Sequence, residues 1–314
     1  MNGNSILFQD ALLNSDLELL KTIPKSDLHN HAPLGSRLKD FSIAIGSEIP
    51  SPPSAMQNIA EMNEYIINNL RSLIVNPDGF KTSIALALRQ AKMDGITKLE
   101  MSLDCQFVTL FPDKEIGLIN FLKQISKSEA PEIQFNPEIG LSRNLDIAEA
   151  ENWIYPCIES GYFKSIDLYG EELIKDATLY KNIYKVAKNH NLKLKSHTGE
   201  FGNAESVRYT VETLELDEVQ HGISAADSKD VMKWLRNNNI RLNVCPSSNI
   251  RLNRVQNMEQ HPCRILADNG IIITINSDDI MIFDQSISDE FFNLYNAKLF
   301  SATELNVLRI NGLQ

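Results

Sequence analysis

Four cysteines, Cys105, Cys157, Cys245 and Cys263, stand too far apart to form a CxxC or CxxxC pair, which argues against a zinc ribbon and a disulfide framework. A reducing compartment is the expectation. Basic residues are also few: 30 Lys and Arg against 41 Asp and Glu leave a formal net charge of -11, the wrong sign for a protein that neutralises a phosphate backbone. No apolar run is long enough to span a bilayer. Residues 1–20 lack a basic segment leading into an apolar one and carry Asp10, Asp16 and Glu18, unlike a secretory leader. Linkers, low-complexity tracts, charge blocks and Gly-rich phosphate turns are missing as well. What remains is a soluble, cytoplasmic chain whose partner is a small molecule, with no nucleic acid and no membrane, folded as a single domain over residues 1–314.

Against these absences stands a repeating pattern. After a short helical stretch or pair of turns within residues 5–22, residues 25–31 read as a strand. Residues 37–80 are less regular, broken by Pro50, Pro52 and Pro53, with an apolar helical period resuming over 55–73; the stretch 37–75 is a candidate lid. Helix and strand periods then alternate. Helices are predicted over 79–95, 115–126, 147–160, 171–190, 204–216, 227–238 and 261–269, each leading into a strand, at 96–103, 133–141, 163–170, 192–197, 218–221, 240–245 and 271–277. Two further helices, 288–299 and 301–310, close the series. Eight strands joined by crossover helices predict a parallel (β/α)8 barrel of the TIM type, with an inserted helical segment after the first strand. A doubly wound open sheet is the alternative.

In such a barrel the chemistry sits at the C-terminal strand ends. The first strand ends in Ser26-Asp27-Leu28-His29-Asn30-His31, and the period of two along a strand turns His29 and His31 to one side. The fifth ends in Ser196-His197-Thr198-Gly199-Glu200, the sixth in His221-Gly222 and the eighth in Asn276-Ser277-Asp278-Asp279. Singly, each has an ordinary explanation as a surface pair, cap or turn. Four strand ends together form a candidate metal centre. Three imidazoles and a carboxylate suit Zn²⁺ with a position left for water, and the ion lowers the pKa of that water from about 15.7 to about 7. Glu200 reaches the same cavity without ligating and can act as a proton donor. His221 can take the water's proton or stabilise the hydroxide, which leaves Asp279 to hold the substrate.

These segments, with Lys25, Ile166-Asp167-Leu168-Tyr169-Gly170-Glu171-Glu172, Gln220, Cys245-Pro246-Ser247-Ser248-Asn249 and Ile275, resemble the adenosine deaminase family of metal-dependent aminohydrolases over nearly the whole chain. The resemblance implies one zinc held by His29, His31, His197 and Asp278. It implies Glu200 as the acid that protonates a purine ring nitrogen, His221 as partner of the activated water, Asp279 at the opposite ring nitrogen, and the Gly170 backbone near the base. Asp167 is then a candidate support for a ligand histidine. Family members commonly follow the second histidine with Leu, an acid that contacts the sugar, and Gly; here His31 is followed by Ala32-Pro33-Leu34-Gly35-Ser36, without the acid. Arg37 and Lys39 are candidates for a substrate phosphate, or plain surface charge.

The expected activity is hydrolytic deamination of an aminopurine, adenosine or a related adenine compound. A barrel metallohydrolase for another amidine, an amide or a modified adenine is one alternative. A catalytically silent binding protein is the other, and the presence of ligands, acid and base together speaks against it.

Overall fold

Strands covered by helices on one face and packed into a barrel interior on the other have no solvent side, so nearly every position must be apolar or polar and paired. The strands meet that demand: β1 (Lys25–His31), β2 (Ile96–Asp104), β3 (Gln134–Ser142), β4 (Ser165–Tyr169), β5 (Lys193–Thr198), β6 (Glu218–His221), β7 (Arg241–Val244) and β8 (Ile273–Ile275). In the computed structural model, which describes residues 3–314, all eight pair in parallel and in chain order. The last step of the ring is a single parallel bridge, between Asn30 and Asp278. This is the (β/α)8 barrel expected from the alternation of periods.

The bridge is reinforced by side chains. The Asp278 N–H donates to the His29 carbonyl at 3.0 Å. The Leu28 N–H donates to Asn276 Oδ1 at 2.9 Å, and the Ser277 hydroxyl to Asp27 Oδ2 at 2.5 Å. Asp27, fully enclosed, has its carboxyl pushed up to about 7 by burial despite these donors.

Helices form where caps and apolar stripes coincide. In Pro77–Met93, Asn76 accepts from the Gly79 N–H at 2.9 Å, Pro77 opens the first turn where no N–H is needed, and Phe80, Ile84, Ala87, Leu88 and Ala91 face the barrel. The expected helical period over 55–73 starts later, at Ile59–Tyr65 after the Asn58 cap, and then widens into a π turn at Ile66–Leu70 where the Asn69 amide donates to the Tyr65 carbonyl.

The helix expected over 171–190 is shorter, and the correction is informative. Only Ala177–Tyr180 (3-10) and Lys181–Asn189 are helical, because the Glu172 carboxylate is drawn across to backbone amides of residues 199–202 and holds 171–176 as a loop.

Inside the barrel, two residues before His197 on β5, Lys195 is completely buried and its Nζ lies 2.5 Å from Glu100 Oε2 and 2.7 Å from Glu138 Oε2. It also donates to the Leu28 carbonyl at 3.1 Å, so one cation ties β5 to β1, β2 and β3. Lys195→Met removes the charge that compensates two enclosed carboxylates. Urea unfolding should show a loss of roughly 3–5 kcal/mol with the slope unchanged; an unshifted midpoint would show that the ion cluster contributes nothing net.

Candidate active site

His29 and His197 define the centre. The Nδ1 of His29 lies 3.2 Å from the Asn243 carbonyl, which can only accept, so that nitrogen carries the hydrogen. The Nδ1 of His197 lies 3.0 Å from the Asp167 carboxylate. Both Nε2 atoms are therefore left with lone pairs, and these face each other at 3.0 Å. Burial and the neighbouring imidazoles hold both rings well below the usual histidine pKa, so neither bears the second proton that would relieve the repulsion. A cation between the two nitrogens would relieve it. Two nitrogens about 2.0–2.1 Å from one tetrahedral ion stand at nearly this separation.

The remaining donors fit the same centre. His31 Nε2 lies 3.5 Å from Asp278 Oδ1, and His29 Nε2 lies 3.8 Å from that oxygen. One nitrogen from each of His29, His31 and His197 falls within a common 4.8 Å, and His31 forms a second such group with Asp278 and Asp279. The Asp278 backbone is left-handed, with φ of 60°, and so is that of His221, with φ of 65°. Strained, non-glycine backbone at two strand ends is what aims those side chains inward.

Glu200 rides on a loop that its own side chain does not hold. One carboxylate, that of Glu172, accepts the N–H groups of Gly199, Glu200, Phe201 and Gly202 at 2.6, 3.1, 2.8 and 3.0 Å. Gly199 lets the chain turn there: φ is +71°, and a Cβ would stand 2.3 Å from Val207 Cγ2. Arg143, also buried, donates to the His197 carbonyl at 2.9 Å and to Ser196 Oγ at 3.2 Å, fixing the end of β5. Enclosed and facing Asp278, the Glu200 carboxyl is pushed well above the usual carboxylate range, first by burial and then by the neighbouring negative charge.

His221 Nε2 lies 3.6 Å from Glu200 Oε1 and 3.7 Å from Asp278 Oδ2. Asp279 Oδ1 is buried without a hydrogen-bond partner, and burial raises its carboxyl to about 7. His31, His197, Glu200, His221, Asp278 and Asp279 all open on one cavity of about 280 Å³, to which Gly170, with φ of +96°, also contributes.

The adenosine deaminase family pattern matches residues 141–314. A Treponema pallidum protein named for adenosine/adenine deaminase is 32% identical over 290 residues, covering 92% of this chain and 96% of that one. The chain belongs to the adenosine deaminase family. It is an aminohydrolase, and the family is metal-dependent. The fold is shared with an adenine deaminase from Arthrobacter aurescens (TM-score 0.80, 21% identity, 92% of each chain). It is shared also with a zinc-bound amidohydrolase from Burkholderia ambifaria (TM-score 0.76, 19% identity, 100% of this chain and 88% of that).

In this deaminase the structure brings together the candidate ligands His29, His31, His197 and Asp278 with Glu200, His221, Asp279 and Gly170, sets Asp167 behind His197, and leaves two candidates out. Arg37 is engaged outside the cavity by Asp284 and Asp289, each at 2.5 Å, and Lys39 is exposed. Three residues of the site have no role assigned to them from the sequence, although Glu172 and Asn249 lie in segments that carry the family resemblance. Glu172 falls in a stretch of helical period, Asn249 in a loop segment with no assigned part, and His261 at an expected helix start; no local pattern marks a residue that acts through distant backbone or side-chain partners. Glu172→Gln puts an amide N–H against backbone N–H groups and loosens the loop that carries Glu200. Ammonia release should fall on the order of 10²-fold at unchanged metal content; an unaltered rate would mean that the loop holds its shape without the carboxylate.

Proposed function

We propose that this chain catalyses metal-dependent hydrolytic deamination of an aminopurine, adenosine or a related adenine compound, to the oxo-purine and ammonia. The observation that carries the reading is the pair of imidazole lone pairs converging at 3.0 Å beside Asp278, with the buried Glu200 carboxyl, its pKa raised by that burial, next to them. His29, His31, His197 and Asp278 would hold one Zn²⁺ per chain, since neutral nitrogen donors with one carboxylate suit that ion best. When bound, such an ion supplies the Lewis acidity that makes a water nucleophilic at neutral pH.

The chain's own groups do the rest. Glu200 gives its proton to a ring nitrogen next to the amine-bearing carbon, which makes that carbon electrophilic. His221 holds the attacking oxygen through Nε2. Asp279, its carboxyl near neutrality and its Oδ1 unpartnered, bonds the ring nitrogen on the opposite side, with the Gly170 backbone along the base edge. The water oxygen becomes the oxo group; one of its protons passes to the departing nitrogen, which leaves as ammonia, and the other restores Glu200, whose original proton stays on the ring nitrogen of the oxo-purine. Residues 37–75 act as a cover, since Ile59, Met62, Ile66 and Ile74 form the apolar wall of the cavity.

One observation bears on the substrate. Pro33 and Leu34, in the turn after His31, line the cavity where family members place a sugar-contacting acid. That favours a substrate whose sugar is absent or held elsewhere, such as by Asp104 and Tyr169 on the facing wall.

Three outcomes test the reading. Purified protein should carry about one equivalent of zinc or a similar divalent ion per chain, and chelation should abolish turnover; a metal-free preparation with full activity would remove the mechanism. Glu200→Gln should retain the metal and lose roughly two to four orders of magnitude in kcat, whereas a near-normal rate would place the acid elsewhere. Adenine, adenosine, deoxyadenosine, AMP and N6-methyl-AMP compared by ammonia release should show turnover of at least one, and the ranking assigns the substrate class.

A further inference from the structure

Behind His221 lies a chain of polar groups that the reaction does not itself use. His261, from the segment before the helix Cys263–Asp268, is 1% exposed; Asn249, on the short helix Pro246–Arg251, is not exposed at all. Asn249 Nδ2 lies 3.1 Å from His221 Nδ1 and 3.4 Å from Glu200 Oε1. Asn249 Oδ1 lies 3.3 Å from His261 Nε2, and His261 Nδ1 lies 3.1 Å from the backbone nitrogen of Cys263.

The direction of every bond follows from the last one. A backbone N–H can only donate, so His261 Nδ1 accepts. Burial lowers the His261 pKa to about 3, so the ring is neutral and its single hydrogen sits on Nε2. That hydrogen donates to Asn249 Oδ1, which fixes which end of the amide is which. The amide nitrogen then points at His221 and Glu200 and can only donate. His221 Nδ1 therefore accepts, and its hydrogen is on Nε2, the nitrogen that faces the cavity. The helix carrying Asn249 is itself pinned, its Ser247 N–H donating to the buried Glu290 carboxylate at 3.1 and 3.3 Å.

We propose that Asn249 is the positioning residue that locks His221 in its Nε2–H tautomer, as the middle link of a one-way hydrogen-bond relay that starts at the Cys263 backbone and passes through His261. Two consequences follow. A protonated Nε2 has no lone pair for a metal, so the relay keeps the fourth imidazole of the cluster out of the ligand set although its ring centroid is only 4.6 Å from that of His29. And His221 meets the attacking oxygen as a hydrogen-bond donor, orienting it, rather than as a base. The second consequence rests on the deaminase reading; the first does not.

The test is the tautomer itself. In the holoenzyme labelled with ¹⁵N-histidine, long-range ¹H–¹⁵N correlations should show His221 neutral with its proton on Nε2, and His261 likewise. His261→Phe removes the donor that orients the Asn249 amide, so His221 should become a mixture of tautomers. Its kcat should fall roughly ten- to a hundredfold with KM and metal content unchanged. His261→Gln, which returns an N–H to the same place, should restore both the single tautomer and most of kcat. An Nδ1–H His221 in the unsubstituted protein overturns the relay, as does a pure Nε2–H His221 in a folded His261→Phe variant. Should that variant not fold, the assignment in the unsubstituted protein decides alone. None of these spectra depends on substrate, so the relay can fail while the deaminase reading stands, and the reverse.

Discussion

Two unprotonated imidazole nitrogens directed at each other across 3.0 Å cannot be left as they are without a positive charge between them. Everything around them serves to keep them so directed. The Asn243 carbonyl and the Asp167 carboxylate each claim the far nitrogen of one ring, which decides the tautomers and removes any route by which a ring could turn its hydrogen inward. Low exposure removes the alternative of taking up protons from water.

The strand that carries His29 also closes the barrel. Between the last strand and the first there is no ladder, only the bridge at Asn30 and Asp278 with the Asp27, Asn276 and Ser277 side chains laid along it. The carboxylate that faces His31 thus sits on the residue that completes the ring, and its left-handed backbone is tolerated because hydrogen bonds on both sides over-determine it. Fold stability and site geometry share a seam here. A change at Asp27 or Ser277 bears on both.

Behind the groups that face the cavity stands a layer of buried and half-buried polar side chains. Glu172 gathers four amides, Arg143 grips the end of β5, and Asn249 and His261 order the hydrogens around His221. Such groups are costly to bury unless fully paired, and the structure pairs them with backbone more often than with each other. Backbone partners move less than side chains, so a site held this way is pre-organised before substrate arrives.

Much of this was legible in the residues alone. The alternation of periods specifies strand and helix, and eight repeats of it point to a parallel barrel ahead of a doubly wound open sheet, because parallel strands need long crossover connections and no Gly-rich phosphate turn is present. Once the barrel is known, the strand ends are known, and His29, His31, His197, His221 and Asp278 fall at one mouth. The identity of the groups behind them was not legible. Glu172 lies in a stretch whose local preference is helical, and neither Asn249 nor His261 shows its role in its neighbours along the chain; their roles come from partners 12 to 49 positions away that only the folded chain brings within hydrogen-bond reach. Side-chain type and period are local properties and can be read in order along the chain, whereas which nitrogen carries a hydrogen depends on a three-dimensional set of partners that tertiary structure alone assembles.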